Sequence, residues 1–430
     1  MKRLYFALAI CLSGLIEPLF SQSASIIDLK TRHRFAQSAF GLFADYQPAF
    51  ESPLSGGVEG ASGFRFQPQS TTFLSISGMH FWGKVDFYIH IPAVVFSGAD
   101  RNYSYRTGVD TGVKYFFGKG PFKSAVSPFV GVSFTSLNFR YLGPTDSGTD
   151  DGAEYSRFRY PIHFGIAAIA RDRHYFELSG TWFPNNKADY YFERNQVSAL
   201  KLPPFRIRIG YRFLFDTTVS AEEDYLSGKT RMVEEKLGKA GKLNTLTAGI
   251  GISSAFFLRN QSDANRQSPY LDKPLSADIF PEFGLGFYHN RLDAQVNLSY
   301  RRISSNIEAF GHSQDYRRVA LSLDVYKFLF DFNGFVPFAG LSPSLEKLSV
   351  TDVDLVEGTG FRLEDRKLKI GLVFGWDIRP NRLQFFTLRT NLRYYPGLYL
   401  EKGGVNPGKF NFDQLEFNFI QAVFNLNRIF

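Results

Sequence analysis

The sequence predicts an all-β fold: a transmembrane antiparallel up-and-down β-barrel of about 16 strands in two 8-strand repeats, with two tandem 8-stranded barrels as the alternative. Three observations carry this prediction. Segments of about ten residues alternate apolar and polar; the chain is rich in aromatic residues without an apolar run of membrane-helix length; and its connectors alternate between short and long.

Alternation with period two belongs to a strand with unlike faces. In KVDFYIHI, Val85, Phe87, Ile89 and Ile91 share one face, with Lys84, Asp86, Tyr88 and His90 on the other. RLDAQVNLSYR sets Leu292, Ala294, Val296, Leu298 and Tyr300 against Asp293, Gln295, Asn297, Ser299 and Arg301. FRIRIGYRFLF sets Phe205, Ile207, Ile209, Tyr211, Phe213 and Phe215 against Arg206, Arg208, Gly210 and Arg212. Three arginines on one face do not make a dry core, so the apolar face is read as the one against lipid. Unpaired backbone groups cost several kcal/mol in hydrocarbon, so lipid-facing strands must close on themselves. A soluble β-sandwich also alternates, but charges recur on the second face of too many strands for that architecture.

Composition narrows the function classes. The 430 residues include 47 Phe and 22 Tyr against 3 Met, a balance that suits rings placed outside, against lipid and its interfaces. The formal charge of +8 is spread along strands and not clustered, so no nucleic acid is expected as a partner. There is no GxSxG, HExxH or phosphate-cradling loop, and the 7 histidines are scattered. No enzyme activity, catalytic residue, metal or cofactor is therefore expected. His163 on a polar face and His312 with Asp315 come nearest to a constellation, and they read equally well as polar lumen or loop residues. The acidic stretches around Asp146, Asp150 and Asp151, and around Asp352 and Asp354, read as solvated loops before calcium sites.

Strands are expected near 36–45, 69–82, 84–95, 104–117, 126–141, 157–170, 173–184 and 204–215, and again near 244–257, 276–289, 291–303, 315–329, 336–349, 366–377, 383–395 and 414–430. Short turns such as Gly83-Lys84, 171–173, 289–291 and 379–382 alternate with longer polar connectors at 46–68, 142–156, 185–203, 258–275, 350–365 and 396–413. The two sets also align with each other. HFWGKVDFYIHI matches FYHNRLDAQVNL without a gap, and SPFVGVSF matches VPFAGLSP, placing Gly131 on Gly340. An internal duplication is the economical explanation. Lys2 and Arg3, an apolar stretch from Leu4 to Ile16, and Ser21 or Ser23 have the order of a cleaved secretory signal, which would remove Cys11, the only cysteine. The expected organisation is a signal at 1–23, a first eight-strand repeat at 24–216, a helix-prone linker at 217–242 with Ser220 and Glu223 spaced as a capping box, and a second repeat at 243–430.

The pieces TGVKYFF, SPFVGVSF and IRIGYRFLF, with the terminal Phe430, resemble the strands of bacterial outer-membrane β-barrel proteins, both small barrels and porin-like ones. The resemblance covers nearly the whole chain beyond the signal and is generic to the architecture. It implies export to the cell outer membrane, contact with outer-membrane lipid, recognition of the C-terminal strand by the barrel-assembly machinery, and envelope proteins as further partners. Arg428 departs from the terminal alternation of such proteins, and Phe215 closes the first half with a better version of it. A single ring is favoured because two membrane barrels in one chain are unusual; the linker and Phe215 favour two.

A single ring of that size would hold water. Its basic lining is then expected from Lys84, Arg106, Lys114, Arg206, Arg208, Arg212, Arg301, Lys367, Lys369, Arg389 and Arg393, joined by Arg157 and Arg159, facing fewer acids: Asp86, Asp110, Glu177, Glu282, Asp293, Asp324 and Glu416. Trp82, Trp182, Trp376, Tyr394 and Phe430 fall near strand ends, where amphipathic rings suit the headgroup level. The functional expectation is porin-like passive passage of small solutes, with anions favoured by the basic lining. The alternative is a non-conducting structural or accessory barrel of a surface or secretion assembly, its interior charges paired with one another.

Overall fold

The computed structural model describes residues 37–52, 64–81, 83–97, 103–142, 152–216, 228–260, 262–273, 275–331, 334–379, 385–402 and 408–429. The expected signal, the first half of the linker, Trp82, Asp146, Asp150, Asp151 and Phe430 lie outside these residues.

The first half contributes β1 (Gln37–Gln47), β2 (Phe50–Ser52), β3 (Phe64–Phe66), β4 (Gln69–His80), β5 (Val85–Ser97), β6 (Tyr103–Phe116), β7 (Ser127–Tyr141), β8 (Glu154–Arg159), β9 (Ile162–Ala170), β10 (His174–Trp182), β11 (Lys187–Glu193), β12 (Gln196–Lys201) and β13 (Phe205–Asp216). β1, β4, β5, β6 and β7 pair in sequence, all antiparallel. β7 then takes β9 along Ser127–Val132 and β8 along Thr135–Arg140, so Tyr160 and Pro161 split one wall position into two strands. Proline has no N–H to give the ladder, which is why the break falls there. β9, β10 and β13 follow, and β13 returns to β1, with Phe40 opposite Phe213. The ring closes with eight wall positions. Two hairpins, β2/β3 and β11/β12, stand at its long-connector end.

After the helix Gly228–Lys239, the second half contributes β14 (Thr245–Asn260), β15 (Leu275–His289), β16 (Ala294–Ala309), β17 (His312–Phe328), β18 (Phe335–Asp354), β19 (Thr359–Ile378), β20 (Phe386–Lys402) and β21 (Gly408–Asn425). They form a closed barrel in sequence order, with β21 returning to β14.

The chain is thus a transmembrane up-and-down β-barrel fold in two eight-strand sets, and the sets close separately. The single sixteen-strand ring favoured by rarity gives way to the alternative for a local reason. β13 spends its second edge on β1, pairing Ser38 with Phe215, and no edge is left for β14. The expected long connectors at 350–365 and 396–413 are also largely strand. β18 and β19 run 20 residues each, and a four-residue turn joins them.

Alternation survives in the burial pattern: β16 runs strictly half-buried, buried, exposed, buried along its length. Its exposed side carries Val296, Leu298 and Tyr300, as β13 carries Ile207, Ile209 and Tyr211. These outward rows form apolar belts around both rings. By the loop asymmetry of such barrels, the short turns and the helix mark the periplasmic end.

The rings also touch each other. Between them, Phe158 meets Phe256 with ring centroids 4.3 Å apart, and Phe134 meets Phe417 at 5.2 Å. At the periplasmic end Phe87 lies 6.2 Å from Trp376. At the external end Arg157 reaches Asp272 at 2.7 Å, Lys273 reaches Glu154 at 3.0 Å, and Arg194 grips Asp354 at 2.8 Å while donating to the Phe310 carbonyl at 2.7 Å.

Candidate functional site: the barrel interiors

An eight-stranded ring leaves an interior just wide enough for side chains. What fills it decides whether anything can pass. In the first barrel, β13 sends Arg208 and Arg212 inward, both almost fully buried. Arg208 binds Asp45 of β1 through two hydrogen bonds, at 2.6 and 2.9 Å, and lies 2.8 Å from Asp110 of β6. Arg212 donates to both oxygens of Asp86, at 3.1 and 2.7 Å, and also to Ser77. Its guanidinium lies 4.0 Å from the centroid of the Tyr175 ring. Lys114 donates to both oxygens of Glu177, at 2.8 and 2.6 Å, and Tyr175 and Ser179 donate to the same carboxylate. His163 bridges Ser133 and Thr181, at 2.8 and 3.0 Å. Arg206, higher up, reaches Thr107 and Tyr105.

The second barrel repeats the chemistry with other residues. Arg318 donates to both oxygens of Glu346, at 2.6 Å each, and pairs with Glu416. Arg301 lies 2.7 Å from Glu416 and donates to the Tyr395 hydroxyl at 2.8 Å. Arg393 sits between Asp324 and Glu282, 2.7 Å from each. Arg389 and Arg379 share Asp377, at 2.7 and 3.3 Å.

Among the described residues charges nearly balance in each interior, with Arg159 as one further buried cation in the first. Arg206, Arg208, Arg212 and Lys114 face Asp45, Asp86, Asp110 and Glu177; Arg301, Arg318, Arg379, Arg389 and Arg393 face Glu282, Asp324, Glu346, Asp377 and Glu416. The anticipated basic excess shrinks to one cation, for two reasons. Sequence reading missed Asp45, Glu346, Asp377, Arg318 and Arg379, and it placed several cations inside that stand elsewhere. Lys84 sits in the β4–β5 turn and donates to the Gly118 carbonyl. Arg106 is exposed, because a register shift between Thr107 and Asp110 exchanges the faces of β6: Tyr105 and Thr107 point in above the shift, and Asp110 and Lys114 below it. Lys367 and Lys369 stand half-buried where β19 and β20 part, capping the Tyr399 and Gly397 carbonyls at 2.9 and 2.6 Å. Arg157 belongs to the contact between the rings; Arg159 is buried as anticipated, opposite the inward Thr135, and reaches Tyr155 and the Lys187 carbonyl beneath the external hairpin. Asp293 receives the Tyr288 hydroxyl in a periplasmic turn.

Apolar clusters fill the rest of each interior. In the first barrel Met79, Phe116, Phe129 and Leu214 close the periplasmic side. Phe66, Phe139, Phe183, Tyr190 and Leu200, several from the two hairpins, close the external side. In the second, Phe257, Tyr316, Leu348, Leu398, Phe410 and Phe412 lie above, whereas at the periplasmic end Tyr288, Phe328, Val336 and Phe338 share their level with Asp377, Arg389 and Arg379, the two guanidiniums packing on the Phe338 and Phe328 rings.

Of the anticipated interface aromatics, Trp182 is exposed at the external end of β10, and Tyr394 is half-buried on β20 with its hydroxyl 3.2 Å from Asp413. Trp376 lies against Phe87 and Phe335, in the seam between the rings and not in open lipid. Asp352 receives His312 at 2.8 Å and Gln314 at 3.0 Å, so these acids are structural partners and not solvated loop residues. No group of His, Cys, Asp and Glu among the described residues is arranged to hold a metal ion.

The geometry is that of two up-and-down β-barrels with outward apolar belts, the architecture by which strands cross a membrane. No protein-family model and no curated protein matches the chain. Among solved structures it aligns with Neisserial surface protein A at 14% identity, covering 43% of this chain and 97% of that one, with a TM-score of 0.29. It aligns with the outer membrane protein OprG from Pseudomonas aeruginosa at 14% identity, covering 44% and 100%, with a TM-score of 0.29. A mutant of TodX, a monoaromatic hydrocarbon channel, aligns at 8% identity over 91% and 90%, with a TM-score of 0.22. At such scores the assignment rests on this chain's own closed strand order.

Proposed function

We propose that the protein is a sealed twin barrel that serves as a structural or accessory platform in the outer membrane, acting through its surfaces and not through its interiors. One observation carries this reading: each interior is filled by apolar clusters and by buried charges that pair with one another across it. Moving a solute through would require desolvated ion pairs to part, and breaking such a pair costs about 3–5 kcal/mol. Export through the N-terminal signal, assembly through the C-terminal strand and contact with other envelope proteins belong to the same reading, as does descent of both rings from one duplicated unit. Reconstitution of the full chain in planar bilayers tests it. No steady conductance is expected between pH 5 and 8, and sustained ohmic openings would overturn it.

Solute passage has one specific observation in its favour. β5 pairs with β6 only over Val85–His90, and β19 with β20 only from Leu372 to Ile378, so each wall has a seam that parts toward the external end. Passage of small solutes would then run sideways through a seam. Liposome uptake of uncharged solutes without ion conductance would favour that route; the nearly balanced interiors supply no preference for anions.

A further inference from the structure

The register of the second barrel sets its outward residues in rows across four strands. Tyr300, Leu321, Leu345 and Leu368 stand side by side on β16, β17, β18 and β19, and Leu368 is 72% exposed. This is the last fully apolar row of the belt. The next row toward the external end, about 7 Å higher, reads Arg302, Val319, Lys347 and Arg366. Above it Arg317 follows on β17, in register with Ser304, Ser349 and Glu364.

Four cations therefore cluster where the belt ends, and the acids beside them do not cancel them. Lys347 pairs with Glu364 at 2.7 Å and Arg317 with Asp315 at 2.8 Å. Arg302 and Arg366 are exposed, and neither guanidinium has a hydrogen bond or ion pair among the described residues. They are three strand spacings apart, about 14 Å, with Lys347 between them. A planar guanidinium binds phosphate bidentately, and at a headgroup boundary that contact is less screened than in bulk water.

We propose that this row binds a bisphosphorylated lipid of the external leaflet. Arg302 and Arg366 each take one phosphate, Lys347 lies between the two, and the acyl chains run down over Leu321, Leu345 and Leu368. The site is on the wall and not in the interior, so it stands whether or not the barrels conduct.

Native mass spectrometry of the full chain in detergent tests the assignment with three probes: bisphosphorylated lipid A, the same lipid fully dephosphorylated, and inorganic phosphate. The expected result is retention of lipid A by the wild type, with affinity about tenfold lower in the R302Q/R366Q double variant and about threefold lower in R366Q alone. Dephosphorylated lipid A should bind the wild type no better than lipid A binds the double variant. Both substituted side chains are exposed and unpaired, so folding is expected to persist; protease resistance of the barrels checks it, and R366Q alone decides the matter if the double variant fails. Equal retention of lipid A by the variants, equal retention of the dephosphorylated lipid, or displacement of lipid A by inorganic phosphate at equal molarity would each overturn the proposal.

Discussion

The two barrels solve one problem with opposite placements of charge. The strand that closes the first ring, β13, is its source of arginines, whereas the strand that closes the second, β21, supplies Glu416 with Gln414 and Asn418. In the first barrel the acids come from β1, β5, β6 and β10; in the second the arginines are shared among β16, β17 and β20. The mouths differ as well. The first ring is roofed by separate hairpins, while the second lengthens its own strands and turns their aromatic residues inward. Closure at eight strands fixes an interior volume and demands that it be filled and neutral, but it does not dictate which strand carries which sign.

The comparison can be broken most forcefully at Arg318. Arg318→Ala leaves Glu346 and Glu416 buried around a hole, and the second barrel is expected to lose about 3–5 kcal/mol while the first keeps its stability. Urea unfolding followed by proteolysis of each barrel measures this; simultaneous loss of both would show that the barrels do not hold their charges independently. Replacing Arg212 and Asp86 together by Met and Leu should cost far less than Arg212→Ala alone, because no charge is left unpaired.

A smaller effect is expected at the aligned glycines. A Cβ on Gly340 would stand 2.0 Å from the Val325 carbonyl oxygen, whereas one on Gly131 would stand 2.8 Å from that of Val113. Gly340→Ala should therefore destabilise by about 1–3 kcal/mol, and Gly131→Ala by less. Thermal unfolding that ranks them the other way would show that the strands at Gly340 can move apart.

The smallest effect concerns the contact between the rings. Hydrogen bonds from Arg194 hold the Asp354 carboxyl down at about 2, below its ordinary 3.8, helped by the Val356 and Glu357 amides. A carboxyl lowered in this way contributes stability above its ordinary pKa and loses it as pH falls through about 2. Protease cleavage of the β11/β12 hairpin should therefore be constant from pH 7 to about 5 and rise only in strong acid. Arg194→Ala should raise it at neutral pH by about 1 kcal/mol of local opening, in line with a partly exposed pair.

Much of this was legible along the chain. Each wall strand lies close to its expected position, because a period of two between lipid and a filled interior is written into consecutive residues. The inward Arg208, Arg212, Arg301, Arg389 and Arg393 follow from the same parity, as does the exposed Trp182. Parity also explains the misses. It holds only while the ladder is regular, and the shift within β6 carried Arg106 outward. Nor does it extend past the membrane, where β18 and β19 continue as strand through residues polar enough to read as loop.

By itself the sequence determined the strands, their two faces and their grouping into two sets, since all of these are local and periodic. Tertiary structure alone decided that β13 turns back to β1, that Arg208, Arg212, Arg301, Arg318 and Arg393 each find a carboxylate on another strand, and that the two rings meet through Phe134, Phe158, Phe256 and Phe417. The physical reason is that a backbone edge offers the same N–H and C=O groups to any partner. Which strand takes it depends on closing the ring and filling its interior, a condition no single segment contains.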